Sequence, residues 1–377
     1  MKQIQLITAV SMAVLLCSVT FTGTVFFMQY RYKKTEEKFH RLAELDYIVQ
    51  QNYYTDYEED DLIDSMLKGY ISGLGDKYSN YMTPDEYGQF QVKESGQTVG
   101  IGVTVMKAED GYPLVVEVQK DSPAEKSGIL PDDKIIAVED EDALTIGFDE
   151  TISRVKGEEG TTVNITVLRN EEELKLDVAR DKIEVVTAGG EMLDGHIGYI
   201  YITNFRENTS DQFLNTLNDL IEQGADALIF DVRDNGGGLL SSLEIMLDPL
   251  LPEGNIATAT YHKDTEEVIL KSDAEELNLP IAILVNGNTA SAAELFSASL
   301  RDFKQAKLVG TQTFGKGIMQ ATVPLDDGGG LTLTIARYQT TKSECYHGVG
   351  LTPDIVVELD SDSETDSQLE TAKKLFE

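Results

Sequence analysis

Lys316 lies in surroundings that could support chemistry. It belongs to GTQTFGKG, residues 310–317, which follows the strand-like run AKLVG. The glycine spacing nearly matches G-x-x-x-x-G-K-[ST], in which a lysine and backbone N–H groups hold a nucleotide phosphate. Gly317 stands where that motif needs a hydroxyl, and the next residues, GIMQATVPL, do not begin the required helix. A nucleotide site is therefore disfavoured, which leaves a surface lysine in a turn or a lysine that acts as a base.

Ser291 could be a nucleophile. The apolar run IAILV ends in a loop rich in Asn and Gly, and a helix is predicted to begin near Ser291. Parallel α/β sheets bind ligands just beyond such strand ends, and the helix dipole there favours developing negative charge. The same residues match a capping box, Ser291-x-x-Glu294, in which the serine only caps the helix. Both interpretations stay open on this stretch alone.

A serine hydroxyl needs a base to become a good nucleophile. None of the four histidines is predicted in a strand-end loop with an acid nearby, so a Ser-His-Asp triad is weakly supported. A lysine can replace the histidine if burial lowers its pKa. Lys316 follows the next strand after that of Ser291, and neighbouring parallel strands would bring the two loops together. Gln320 could orient the amine, although a surface polar role is its ordinary interpretation.

The elements that must position these residues change in type along the chain. Residues 35–94 show helical spacing, with Thr83 as a predicted N-cap. Residues 95–180 alternate short β-runs with Gly, Pro and Asp turns. Residues 181–360 alternate strands and helices, which predicts a mainly parallel sheet covered by helices. Residues 361–377 form an acidic tail with a weak helical pattern.

The start of the chain predicts a membrane anchor. Residues 4–30 carry no charge and are numerous enough to span a bilayer as a helix, so residues 1–34 are predicted to be a transmembrane signal anchor. A cleaved signal peptide fits less well because no clean small-residue cleavage site follows the apolar run. More basic residues follow this run than precede it, which mildly favours a cytoplasmic location for the rest of the chain.

Composition excludes some classes of partner. The net charge of −35 arises from 31 Lys and Arg against 66 Asp and Glu in 377 residues, and such a surface repels nucleic acid. The 41% of hydrophobic residues is enough for a sizeable core. Cys17 and Cys345 are far apart, and no Cys/His cluster occurs, so we expect neither a disulfide between them nor a metal site.

Residues 95–180 resemble a PDZ domain. The resemblance is carried, in order, by GIGV, SPAEKSGI, DKIIAVEDED and GTTVNITVLR. It implies a groove that binds the carboxyl end of a protein by strand addition. The terminal carboxylate would be held by backbone N–H groups around Gly100, Ile101, Gly102 and Val103.

Residues 40–360 resemble the C-terminal processing peptidases, also called tail-specific proteases. The motifs are NGNTASAAE, GTQTFGKGIMQ, DVRDNGGGLL and GLGDKYSNYMTPDEYGQF, in the family's order and at its distances. Two departures are Gly236, where many members carry proline, and LGDKYS in place of the commoner LDPYS. The resemblance implies a crotonase-like α/β protease core, with an inserted PDZ domain, an N-terminal helical segment and a membrane anchor.

The resemblance assigns a role to each matched residue. Ser291 would be the nucleophile, Lys316 the general base and Gln320 the residue that orients the base. The backbone N–H groups of Gly237 and Ala292 would stabilise the oxyanion. Neither a metal nor another cofactor is implied.

The function implied is that of a serine endopeptidase whose PDZ domain binds accessible protein C-termini. Its substrates would be exported or membrane proteins, and it would be a single-pass protein of the cell membrane with the protease outside the cytoplasm. The resemblance outweighs the small excess of basic residues after the apolar run. It also implies that the PDZ domain gates the active site and that the N-terminal helices and the tail form a homodimer. The alternative is a catalytically silent PDZ scaffold, against which the intact Ser291, Lys316 and Gln320 argue.

Overall fold

The computed structural model describes residues 39–273, 276–359 and 365–377. The predicted anchor, residues 1–34, lies outside the described residues. Within the three described ranges, no helix has both the length and the apolar character needed to cross a bilayer. The described chain divides into two compact units, with the boundary between Met66 and Leu67.

The amino-terminal part is mostly helical. Its elements are α1 (39–52), α2 (Glu59–Ser72), β1 (Asn80–Met82) and α3 (Pro84–Glu94). Thr83 caps α3 as predicted, because its hydroxyl accepts from the N–H of Glu86 while the Glu86 carboxylate accepts from the N–H of Thr83. Strand β1 differs from the helical prediction for residues 35–94. Its three residues are too few to show alternation, and they form a strand only by pairing with a distant segment.

The predicted PDZ domain is a β-rich segment. Its elements are β2 (Gln97–Gly100), β3 (Val103–Lys107), β4 (Pro113–Val118), α4 (Pro123–Lys126), β5 (Lys134–Val138), β6 (Glu141–Asp142), α5 (Ala143–Ile146), α6 (Phe148–Val155), β7 (Thr162–Arg169), β8 (Glu172–Ala179) and β9 (Asp181–Glu184). An antiparallel sheet runs in the order β3-β4-β5-β7-β8 around its own apolar core. Among the described strands β3 pairs with β4 alone, so one edge of β3 is open.

The predicted protease core contains the remaining elements. They are β10 (Ala188–Leu193), β11 (Ile197–Ile202), α7 (Thr209–Glu222), β12 (Ala227–Asp231), α8 (Leu240–Leu247), β13 (Gly254–Tyr261), β14 (Glu266–Ser272), β15 (Ile281–Val285), α9 (Ala292–Lys304), β16 (Lys307–Gly310), β17 (Ile318–Pro324), β18 (Gly330–Thr340), β19 (Ile355–Val356) and α10 (Ser367–Lys373), with short 3-10 turns at Asp248–Leu250 and His262–Asp264.

Two sheets build this core, not the single mainly parallel sheet that was expected. The first runs β10-β11-β12-β15-β16-β19 and is parallel except at β10. All residues of β12 and β15 are buried, as expected for central strands covered on both faces. The second sheet is antiparallel, in the order β1-β18-β13-β14 with β17 on β18. The Gly-rich turn between β17 and β18 predicted their hairpin, but the sheet as a whole was not predicted, because β1, β13 and β18 come from distant parts of the sequence.

The carboxyl-terminal helix is docked on the core. Ala372 of α10 is fully buried among residues of the first sheet, including Ile229 and Leu284. Arg233, just after β12, forms an ion pair with Asp366 at 2.7 Å, next to the helix start. Residues 365–377 are thus part of the core packing, although their polar composition had predicted a tail.

Candidate active site

A cavity of about 780 Å³ opens on the protease core. Ser291, Lys316 and Gln320 all line its wall, together with Ala292. Just over half of the other lining residues are apolar or aromatic: Tyr78, Tyr87, Phe90, Leu239, Leu240, Leu295, Ile318, Met319 and Tyr338. A cleft that joins apolar walls with a few converging polar groups is the usual form of a ligand site.

Ser291 adopts a strained backbone conformation. It follows β15 and occupies the N-cap position of α9, with φ of 57° and ψ of −120°. A positive φ is uncommon for residues other than glycine, and such strain concentrates at functional sites. The N–H of Ser291 donates to Glu294 Oε2 at 3.0 Å, which is one half of the predicted capping box. The serine is therefore held by its backbone, and its side chain lines the cavity.

Glu294 joins the serine to the loop of the lysine. Its side chain is fully buried, and its two carboxyl oxygens accept hydrogen bonds from both loops. Oε2 accepts from the N–H groups of Ser291 at 3.0 Å and of Lys316 at 2.7 Å. Oε1 accepts from the N–H of Gly315 at 2.7 Å and from the hydroxyl of Thr313. One carboxyl group thus sets the spacing between the two loops.

Parallel strand pairing brings these loops together, as predicted. Strands β15 and β16 are neighbours, with Val285 opposite Gly310 at their carboxyl ends. The chain after β15 leads to Ser291, and the chain after β16 leads to Lys316. In addition, the N–H of Phe314 donates to the carbonyl of Thr289 at 3.0 Å.

The Lys316 amine lies in a partly dry environment. Its Nζ is 4.6 Å from the centre of the Tyr78 ring, and the side chain is half-buried. Burial lowers the pKa of Lys316, the nearby Asp76 carboxylate opposes this, and the Lys77 ammonium lowers it further. Across the described chain, no hydrogen bond joins this amine to Ser291 Oγ. Burial thus shifts this amine toward its neutral form, and the amine lies on the same cavity wall as the serine.

The two glycines beside Lys316 allow another segment to approach its loop. A Cβ at Gly315, whose φ is 89°, would lie 2.8 Å from the backbone nitrogen of Gly350. At Gly317 a Cβ would lie 3.0 Å from the backbone nitrogen of His347. The segment 345–350 therefore packs directly on the lysine loop. Strand β17, not a helix, follows, which agrees with the rejection of a phosphate loop.

Gln320 lies in β17 opposite Thr334 of β18. Its Nε2 donates to Thr334 Oγ1 at 3.1 Å. The amide oxygen has no hydrogen-bond partner within the described ranges, and Gln320 lines the cavity. That oxygen is available to a donor such as an amine.

The glycine turn after β12 differs from the expectation at Gly237. The N–H of Gly237 donates to Asn235 Oδ1 at 2.8 Å, in an Asx turn closed by the buried Asn235 side chain. Gly236 and Gly238 line the cavity on either side of it. The N–H of Ala292 has no partner in the described part of the chain. The predicted donor Gly237 is thus engaged inside the turn in this conformation, whereas Ala292 is available.

Polar side chains tie this turn to the loop of the serine. Asp234 Oδ1 accepts from the side-chain amides of Asn286 at 3.0 Å and Asn288 at 2.8 Å. The N–H of Ala290 donates to the carbonyl of Asn235 at 2.9 Å. A Cβ at Gly237 would lie 2.7 Å from Ser291 Cβ, so glycine is required for this close approach.

The PDZ loop that is predicted to bind the substrate carboxylate leads directly into β3, the strand with one open edge. Gly100 ends β2, Val103 begins β3, and Ile101 and Gly102 form the turn between them. The carbonyl of Ile101 accepts from the N–H of Ala124, and the carbonyl of Gly102 accepts from the N–H of Gln119. Within the described ranges, the N–H groups of Ile101 and Gly102 have no partner.

Two further aromatic residues line the cavity beside the serine and the lysine. Tyr78 lies in the GLGDKYS stretch, which carried the resemblance but had no role assigned to it. Tyr338 lies in β18, and its hydroxyl donates to the carbonyl of Lys316 at 2.9 Å. From the sequence, only the two-residue period of a β-strand could have indicated that Tyr338 faces inward. In the structure, Ala336, Tyr338 and Thr340 are buried at every second position of β18.

Comparisons with known proteins agree with this architecture. Residues 196–357 match peptidase family S41, and residues 99–179 match the PDZ domain family. The chain is 34% identical over 358 residues to the carboxy-terminal processing protease CtpA of Bacillus subtilis, covering 94% of this chain and 76% of that protein. The solved structure of a photosystem II D1 C-terminal processing protease shares the fold, with a TM-score of 0.50 and 22% identity, over 84% of this chain and 86% of that one. The chain therefore belongs to the carboxy-terminal processing proteases of peptidase family S41 and is a serine endopeptidase with a PDZ domain.

Proposed function

We propose that this endopeptidase cleaves protein substrates with a Ser291–Lys316 dyad after its PDZ domain has bound their carboxyl ends. The observation that carries the proposal is the carboxyl group of Glu294. It accepts from the backbone N–H groups of both Ser291 and Lys316, and so holds together the two loops whose hydroxyl and partly dry amine line one cavity wall. Serine with a desolvated lysine is a recognised nucleophile–base combination.

The chemistry follows from the groups along the cavity. The Lys316 side chain leaves the Tyr78 ring and takes the proton of Ser291 Oγ, which attacks the substrate carbonyl. Catalytic hydrogen bonds often form only in the substrate complex, so the lack of a hydrogen bond between the Lys316 amine and Ser291 Oγ in this structure is compatible with the step. Gln320 offers its amide oxygen to orient the amine. Lys316 then gives the proton to the leaving amine, and water hydrolyses the acyl-enzyme.

The oxyanion is stabilised by backbone N–H groups. Ala292 offers one that has no partner among the described residues, and Gly237 offers a second when the Asx turn releases it from Asn235. One such donor is typically worth about 3 kcal/mol of transition-state stabilisation. Gly236, which replaces the family's common proline, gives this turn the backbone freedom that release requires.

The PDZ domain supplies the recognition of protein tails. A peptide added to the open edge of β3 would run beside Val103–Lys107 with its carboxylate at the Ile101–Gly102 turn. The N–H groups of that turn are available for the carboxylate. Substrates are therefore proteins with accessible, unstructured C-termini.

The location of the protein rests on residues 1–34. We propose that they anchor it in the cell membrane as a single-pass protein, with the protease on the extracytoplasmic side and exported or membrane proteins as substrates. A homodimer formed through the N-terminal helices and the tail stays a prediction from the family resemblance.

The test is cleavage of an unfolded protein with an apolar tail. We expect the wild-type protein to cleave it and Ser291→Ala to be inactive, because the alanine has no nucleophilic oxygen. Wild-type activity no greater than that of Ser291→Ala would refute the dyad.

A second substrate with an amidated C-terminus tests the PDZ role. It should be cleaved more slowly at low substrate concentration, and equal rates for the two substrates would refute tail recognition.

The acid limb of the pH–activity profile should respond to the charges around Lys316. A lysine base acts only when neutral, so a lower pKa moves the acid limb to lower pH. Asp76→Asn removes a charge that stabilises the ammonium, and should shift the limb to lower pH. Lys77→Gln removes a repulsive charge, and should shift it to higher pH. Profiles of kcat/KM measure both shifts, and shifts in the same direction would contradict lysine as the titrating base.

A further inference from the structure

Tyr338 contacts both members of the proposed dyad. Its side chain is 5% exposed, and its hydroxyl donates to the carbonyl of Lys316 at 2.9 Å. The same hydroxyl lies 3.4 Å from Ser291 Oγ, with the phenol as the donor. One buried phenol therefore reaches the loop of the lysine and the oxygen that would react.

The position of the Tyr338 hydroxyl is set by several contacts. The ring meets that of Tyr346 edge-on, with centroids 6.1 Å apart and planes at 78°. The N–H of Tyr338 donates to the carbonyl of Gly317 at 3.1 Å, and Tyr338 pairs with Ala259 of β13. Because backbone and ring are both fixed, the hydroxyl keeps a constant position relative to Ser291.

A phenol has one proton, for which the Lys316 carbonyl and Ser291 Oγ compete. With the serine neutral, the shorter contact to the carbonyl is favoured. When Ser291 loses its proton, its Oγ gains negative charge and becomes the stronger acceptor, since hydrogen bonds to ionised groups are about twice as strong as neutral ones. Burial raises the pKa of Tyr338, so the phenol keeps its proton and remains a donor.

We propose that Tyr338 is a catalytic residue that donates a hydrogen bond to Ser291 Oγ as this oxygen attacks the substrate. The inference rests on the proposed function, in which Ser291 is the nucleophile and Lys316 the base. The serine proton passes to Lys316 Nζ, the bond from Oγ to the carbonyl carbon forms, and the carbonyl π electrons move to the oxyanion. Tyr338 retains its own proton and shifts its hydrogen bond from the Lys316 carbonyl toward Oγ.

The test is Tyr338→Phe, which keeps the ring and removes the hydroxyl. Losing a hydrogen bond to a charged group in the transition state should lower kcat by about 10- to 100-fold, with KM within about twofold of wild type. A fluorophosphonate probe reacts with the serine oxygen itself and does not need the PDZ domain. Its labelling rate should fall by the same factor as kcat.

Tyr346→Phe is the matched control. Its hydroxyl is also buried, and among the described residues it interacts with Tyr338 but forms no hydrogen bond with Ser291 or Lys316, so its removal should leave kcat and labelling much closer to wild type than Tyr338→Phe does. Melting temperatures of both variants should stay close to that of the wild-type protein.

The outcomes separate this inference from the proposed function. Wild-type kcat and labelling in Tyr338→Phe, with Ser291→Ala inactive, would overturn the role of Tyr338 and leave the dyad intact. Equal losses in the two phenylalanine variants with lowered melting temperatures would also overturn it, because they would indicate a packing effect. Full cleavage by Ser291→Ala would refute the dyad and the role of Tyr338 together.

Discussion

Lys316→Arg is expected to lose about 10³-fold in kcat, within the range found for removal of a general base. Arginine keeps the positive charge and a similar length, but its guanidinium stays protonated at every working pH and cannot accept a proton. The KM should change little, because the PDZ groove and the apolar walls of the cavity are untouched. Steady-state kinetics on a peptide substrate measure both constants.

Lys77→Arg is the matched control for this experiment. The Lys77 amine lies 4.8 Å from the centre of the same Tyr78 ring and is changed in the same way. It should retain wild-type kcat, since it carries charge near the cavity but is not assigned a proton transfer. A Lys316→Arg protein within tenfold of wild-type kcat would contradict the assignment of Lys316 as the base.

Glu294→Ala is expected to lower both stability and activity. The substitution leaves the N–H groups of Ser291, Gly315 and Lys316 and the hydroxyl of Thr313 without their buried acceptor. Each unsatisfied buried group costs about 1–3 kcal/mol, so the free energy of unfolding should fall by several kcal/mol. Because the loops of the serine and the lysine lose their shared partner, kcat should fall by more than about 100-fold.

Glu294→Gln tests the charge and the acceptors with almost no change in size. A glutamine has one acceptor oxygen, so its NH₂ must face either the Ser291 and Lys316 N–H groups or that of Gly315. In either orientation the glutamine NH₂ group faces backbone N–H groups, and two donors cannot form a hydrogen bond. We expect a loss of stability of about 1–3 kcal/mol and a clear loss of kcat. Chemical denaturation and peptide kinetics measure the two effects.

Glu344→Gln is the control for Glu294→Gln. Glu344 is exposed and has no ion pair or side-chain hydrogen bond within the described ranges, so the same chemical change should have no effect. If Glu294→Gln matched this control in stability and kcat, the role of Glu294 in joining the loops would be wrong.

Much of the fold was predictable because it depends on local patterns. The unbroken apolar runs of β12 and β15 predicted central parallel strands, and all their residues are buried. Thr83, as an N-cap, predicted the start of α3. The second sheet as a whole was not predictable in this way, although the Gly-rich turn of its β17–β18 hairpin was. Its strand β1 pairs Tyr81 with Leu331, and no short-range pattern encodes a pairing over that distance.

The candidate site likewise has parts that the sequence predicted and parts that it did not. Ser291 and Lys316 were found because each follows an apolar strand in a distinctive loop. The spacing of Glu294 from Ser291 predicted a helix cap, and the structure shows that three of the donors to Glu294 lie in residues 313–316. Tyr78 could not be placed over the Lys316 amine from sequence. These contacts join segments that are neighbours only after the sheets have packed.

The sequence by itself determined the family, the PDZ domain and the residues proposed to carry the chemistry, because motif spacing and strand periodicity are local properties of the chain. Only the tertiary structure decided what surrounds those residues. It engages the Gly237 N–H with Asn235, joins both loops through Glu294 and places the Tyr338 hydroxyl at Ser291 Oγ. The reason is physical: a hydrogen bond depends on ångström-scale distances between segments, and packing sets those distances after the local elements have formed.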